Sequence, residues 1–244
     1  FFGHVLRNDR GVMELLDSDY TILNETLARH YGIDGVSGPE FRKVALADRR
    51  RGGVLTQASV LTLTSNPNRT SPVKRGQWIL QQLLGTPPPP PPAEVAKLDE
   101  SAQAAETGSL RDRMEVHRTD PNCASCHQQM DPLGFALENF DAVGRWRVMD
   151  AGFLIDPSGE LPGGHKFNDI QELKGLLSTT AARRFTRCLI ENMLTYALGR
   201  GLEAYDYCTV EEIRGKLAAG GDRIHSLITG IVESRAFQNR GVDR

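Results

Sequence analysis

The chain has 244 residues, of which 39% are hydrophobic and 25% charged, the make-up of a soluble globular protein with one large or two modest domains. Its formal net charge of −2 gives no electrostatic footprint for nucleic acid or an anionic membrane. No apolar run approaches the ~20 residues that cross a bilayer.

The chain opens Phe1-Phe2-Gly3-His4, without an initiator Met, a basic n-region or a cleavage site. The numbering is therefore expected to begin inside a longer chain or after processing. Val12 to Leu16 and Tyr20 to Tyr31 read as short helices; in the second, Leu23, Leu27 and Tyr31 recur every fourth residue before Gly32. His30, beside Tyr31, reads as a surface or packing histidine. Phe41 to Leu46 alternates like a short strand. Arg49-Arg50-Arg51 reads as a solvated face, with the carboxylates of a bound group or a partner as the alternative. Val54 to Leu63 reads as helix.

Ser71 and Pro72 fit an N-cap and a first helical position, and the helix they start runs to Gly85. Arg69, Lys74 and Arg75 near that start can hold an anion; a capped helix with exposed basic residues is the favoured reading. Pro87 to Pro92 are six consecutive prolines, a polyproline II run of roughly 19 Å. With the polar, small-residue stretch after it, this is the clearest boundary in the chain.

Ser109 to His117 reads as a helix, and Asp131-Pro132 as a new N-cap and helix start. Val148 to Phe167 reads as a hairpin turning at Asp156-Pro157-Ser158-Gly159. Ile170 to Leu177 is one amphipathic helix. Arg183 to Leu198 is apolar on more than one face and reads as a central buried helix. Thr209 and Glu212 have capping-box spacing, and Ile224 to Val232 is the last helix. The expected fold is mainly α: a helical region over 1–86, a proline-rich spacer over 87–108, a third segment with a short β-hairpin over 109–167, and a helical region over 168–244.

One stretch demands a particular chemistry. Cys123-Ala124-Ser125-Cys126-His127 has the C-x-x-C-H pattern that attaches c-type haem. Two thiols three positions apart on one helical turn can form thioethers with the two vinyl groups of a porphyrin. His127 then offers imidazole nitrogen to iron. A redox dithiol would prefer a βαβ unit, and none surrounds the motif. A zinc site needs two more ligands at matched spacing, and Cys188 and Cys208 are distant in sequence. Haem c is attached outside the bacterial cytoplasm, so a periplasmic or otherwise exported protein is expected. There Cys188 and Cys208 can form a disulfide closing a ~20-residue loop, worth about 3 kcal/mol in the chain-entropy model; two buried thiols are the alternative.

Three further stretches carry a family resemblance. They are Asn68-Arg69-Thr70-Ser71-Pro72-Val73-Lys74-Arg75-Gly76, then Met130-Asp131-Pro132-Leu133-Gly134-Phe135-Ala136-Leu137-Glu138-Asn139-Phe140-Asp141 ending in Gly144-Arg145-Trp146-Arg147, and Leu194-Thr195-Tyr196-Ala197-Leu198-Gly199-Arg200-Gly201. With the proline run and His117-Arg118 before the motif, the chain resembles the C-terminal half of planctomycete-type cytochrome c proteins, built of consecutive domains of unknown function. The resemblance implies an exported haem c protein that continues before Phe1. It implies no particular reaction.

The second iron ligand does not follow from the motif. Met130 follows His127 too closely to cross the ring. His117, at a position where the resemblance also has a histidine, is the first candidate; Met149 and Met193 are the runners-up. Against this, His117 can equally cap a turn or bond a propionate. Arg145 and Trp146 are candidates for the haem edge, with Arg147 beside them, since arginines offset propionate charge. One covalent haem c is the expected cofactor. The expected partner is a redox protein or further haem domains, with assembly into a larger complex and no nucleic acid. An electron-transfer module is favoured over a haem enzyme or electron-relay subunit, because no distal His-Arg pair stands at diagnostic spacing.

Overall fold

The computed structural model describes residues 1–90, 108–117 and 121–239. Within these, the side chains of His117 and Cys123 lie outside the described set. The fold is mainly helical, as expected, with three small two-stranded ribbons.

The N-terminal region begins with α1 (Phe2–Arg7) and a 3-10 turn at Val12–Leu15. Next comes β1 (Tyr20–Leu23), which pairs antiparallel with β2 (Arg42–Ala45) in the register Tyr20 to Ala45. Between them lies α2 (Glu25–Tyr31), capped by Asn24, whose side chain accepts from the Leu27 amide at 3.0 Å. The single helix expected over Tyr20 to Tyr31 is thus a strand followed by a helix. Tyr20, Thr21 and Ile22 find strand partners more than twenty residues on, which a local helical period does not register.

Arg49–Arg51 forms a 3-10 turn, and α3 (Ala58–Leu63) follows. The basic run is not one solvated face. Arg51 is buried, with its guanidinium 3.9 Å from the Tyr31 ring centroid and donating to the Gly144 carbonyl at 2.6 Å.

Helix α4 (Pro72–Trp78) starts as expected: Ser71 Oγ accepts from the Lys74 amide, and Pro72 occupies the first turn. It runs on through a π-helical turn at Ile79–Leu83. Pro87 to Pro90 are irregular, and the remainder of the spacer, through residue 107, lies outside the described residues.

Helices α5 (Leu110–His117) and α6 (Pro121–Phe135) follow. Here the expected helix start at Asp131-Pro132 is overturned, because Pro132 lies inside α6. The proline leaves the Gln128 carbonyl without its helical donor. Gln128 is exposed, so water can take that place. Asp131 does not cap a new helix; its carboxylate meets His127.

The expected single hairpin is two ribbons. β3 (Met149–Asp150) pairs with β4 (Phe153–Leu154), and β5 (Gly159–Leu161) pairs with β6 (His165–Phe167). Asp156 to Ser158 therefore links ribbons rather than turning one.

The C-terminal region contains α7 (Ile170–Ser178), α8 (Ala182–Leu198), α9 (Asp206–Ala219), α10 (Ile224–Val232) and α11 (Arg235–Gln238). Helix α8 buries two sides, Phe185 on one and Ile190 and Leu194 nearly opposite it, while Tyr196 on it is 90% exposed. Helix α9 begins ahead of the expected capping box, at Asp206, so Thr209 lies within it.

Two main apolar cores result. The first joins Val5, Leu16, Leu55 and Leu80 to Leu133 and Phe140 of the middle segment and to Ile170, Leu177 and Phe185. The second joins Ile190 and Leu194 of α8 to Val210, Ile213, Leu227 and Ile231. No helix among the described residues is long and apolar enough to cross a membrane.

Candidate functional site

Helix α6 carries Cys123, Cys126 and His127 within one turn. Its position is fixed by α4. A Cβ on Gly76 would stand 1.9 Å from the Met130 carbonyl oxygen, and one on Gly134 would stand 1.9 Å from that of Pro72. The two helices therefore meet backbone to backbone at two glycines, one on each.

The far end of α6 is held by charge. Arg75 of α4 is wholly buried. Its Nη1 donates to the carbonyls of Leu137 at 2.7 Å and Phe140 at 2.9 Å, and to Glu138 Oε1 at 2.9 Å. Its Nη2 donates to the Asp141 carbonyl at 2.9 Å. These carbonyls follow the end of α6, where helical partners run out. Glu138 also accepts from Thr70 Oγ1 at 2.6 Å and from Arg147 Nη2 at 3.1 Å. Burial pushes the Glu138 carboxyl up and the Arg75 guanidinium down, against the attraction between them. Arg75 is expected as an exposed basic residue at a capped helix start; it is instead the buried bolt between α4 and α6.

At the motif itself, His127 Nδ1 lies 3.0 and 3.1 Å from the two carboxylate oxygens of Asp131. The Asp131 side chain is fully buried and that of His127 is 17% exposed. With a carboxylate as acceptor, the ring hydrogen sits on Nδ1 and the lone pair on Nε2, the nitrogen that can ligate a metal. Cys126 is half-buried at the margin of the first core.

The other expected site residues are dispersed. Trp146 packs edge-on to Phe140, with ring centroids 5.2 Å apart, and the Arg50 guanidinium lies 4.5 Å from its ring. The Arg145 amide donates to Asp141 Oδ1 at 2.8 Å, closing a turn. Met149 is exposed on β3. Met193 packs against the second core, whereas Cys126 packs against the first. His117 ends α5.

Cys188 and Cys208 are separate thiols rather than a disulfide. Cys188 faces the turn after α4, its Sγ 3.3 Å from the Gln82 carbonyl, while Cys208 is exposed on α9. The pair is close in sequence, but one member points into the first core's edge and the other into solvent.

Two features went unread in the sequence, the His127–Asp131 pair and the Arg75–Glu138 pair. The first had a signal, since His and Asp four residues apart face each other on one helix; the Asp-Pro dipeptide, read as a helix start, masked it. The second depends on tertiary packing and left no local signal.

The donor set fits a covalently attached haem. Cys123 and Cys126 lie three positions apart on one helix, and the His127 imidazole is turned by a carboxylate so that Nε2 carries the lone pair. Bound there, haem supplies a one-electron Fe(III)/Fe(II) couple. Among the described residues, no group of His, Cys, Asp and Glu side chains gathers to hold a free metal ion.

Family models match the chain in three consecutive blocks. Each is described as a protein of unknown function: DUF1592 over residues 1–33, DUF1588 over residues 51–150 and DUF1585 over residues 163–237. The middle block contains α4, the C-x-x-C-H motif and the Arg75–Glu138 pair. No curated protein and no solved structure matches the chain.

Proposed function

We propose, for a chain that belongs to the planctomycete-type cytochrome c proteins of consecutive domains of unknown function, that it is an exported c-type cytochrome. It carries one haem on Cys123 and Cys126, with His127 as proximal ligand, and passes electrons to a protein partner or to further haem domains. The observation that supports this most is the register of these three residues on α6, with His127 held by Asp131 at 3.0 Å. Redox function asks little else of the protein than a rigid mount, because a mount that does not move keeps reorganisation small. The glycine crossing and the Arg75 anchor provide one. His117 is the first candidate for the opposite side of the iron.

The test is the optical spectrum of the reduced protein, produced in a periplasm equipped for haem c attachment, with and without carbon monoxide. A six-coordinate spectrum that carbon monoxide does not change rapidly is expected. Rapid, stoichiometric carbon monoxide binding contradicts the electron-carrier reading and points to an open iron position. In His117→Ala, rapid carbon monoxide binding is expected; a spectrum identical to wild type removes His117 as a ligand.

A further inference from the structure

Asp131 is a carboxylate with no solvent exposure, placed in the interior of α6. Burying a charge is unfavourable unless it is paired or hydrogen-bonded. The position does not serve a helix terminus, because α6 runs through it. Both of its oxygens lie within hydrogen-bond distance of one nitrogen, His127 Nδ1. His127 is the partly exposed member of the pair.

We propose that Asp131 is the positioning residue for His127, and that it tunes the redox couple as well as holding the ring. The proposal rests on the haem reading above. The carboxylate keeps the ring hydrogen on Nδ1 and prevents rotation, so Nε2 always presents its lone pair. An anionic acceptor also draws that hydrogen more strongly than a neutral carbonyl would, which makes the imidazole a better donor. A stronger donor favours Fe(III) over Fe(II). Asp131 therefore biases this haem toward low potential, without contacting it.

The test compares the exported holoprotein with Asp131→Asn and Asp131→Glu by denaturing mass, thermal unfolding and redox titration. Covalent haem is expected in all three. Asp131→Asn, which keeps shape and loses charge, is expected to shift the Fe(III)/Fe(II) preference toward Fe(II) about tenfold, a rise of about 59 mV for one electron. Asp131→Glu is expected to return part of that shift. Haem present with an unmoved potential in Asp131→Asn overturns this proposal alone. Wild-type protein without covalent haem overturns the haem reading and this proposal with it. A measurement on wild type alone guards against a variant that fails to fold. In the reduced, diamagnetic holoprotein, the His127 Nδ1 hydrogen should give a proton resonance that exchanges slowly with solvent. Fast exchange, or a ring hydrogen on Nε2, contradicts the proposal.

Discussion

Gly76 on α4 faces the carbonyl of Met130 on α6, and a methyl group placed on it would stand 1.9 Å from that oxygen. The obstacle is backbone, so no rotamer change relieves it. Gly76→Ala must push the two helices apart and is expected to destabilise the protein by about 3 kcal/mol, the upper part of the overpacking range. Gly175, in the middle of α7, has nothing within 4 Å of an added Cβ. Gly175→Ala is therefore expected to stabilise by about 0.5–1 kcal/mol, through helix propensity alone. Urea unfolding of the two variants checks both signs. Equal effects would show that the crossing is looser than described.

Arg75 and Glu138 form a buried pair, with side-chain exposures of 0% and 6%. Removing one partner leaves the other buried, so Arg75→Met and Glu138→Leu should each cost about 3–5 kcal/mol. The double variant should cost clearly less than their sum, measured by a double-mutant cycle. Glu138 also sets a pH slope. Burial holds its carboxyl above the ordinary value of 4.5. Between that value and the raised one, the folded chain keeps a proton that the unfolded chain releases, so stability falls as pH rises. Arg75→Met should carry this fall to higher pH, because it removes the main charge that favours the carboxylate.

Asp206 gives a slope of opposite sign. The Arg200 guanidinium, 2.7 Å away, holds its carboxyl below the ordinary value of 3.8, and the Glu203 amide donates to it at 2.9 Å. This stabilisation is complete above 3.8 and is lost as pH falls through the lowered value. Asp206→Asn is expected to cost about 1–3 kcal/mol at pH 7. The gap to wild type should close as the solution is acidified through that range. A gap that does not change with pH would show that the pair acts by shape alone.

These positions mark how far the sequence was legible. The helix at Pro72 follows its Ser71 cap, and those at Ile170 and Ile224 follow their apolar spacing, because both signals are local. The C-x-x-C-H register is local too. Failures came where a residue's partner lies far along the chain. Tyr20 to Leu23 becomes a strand because Arg42 to Ala45 pairs with it. Arg51 and Arg75 are buried because distant carbonyls and rings receive them. Local signals also competed: Asp131 before Pro132 reads as a cap, yet the same carboxylate sits one turn after His127 and is used there.

The two C-terminal cysteines should differ in reactivity. Burial pushes the Cys188 thiol up, and carbonyls of the turn after α4 surround it; only thiolate reacts. Cys208 is exposed. Without reductant, a thiol reagent should label Cys208 in the folded protein and Cys188 only after unfolding. Cys208→Ser should change stability by less than about 0.5 kcal/mol. Two unlabelled cysteines that become reactive only on reduction would contradict the separate thiols.

The most direct measurement is the denaturing mass of the exported chain. The account predicts the polypeptide mass plus one haem, with none retained when both Cys123 and Cys126 are changed to Ala. A wild-type chain whose mass shows no covalent haem, produced where a control cytochrome c is fully loaded, would contradict it.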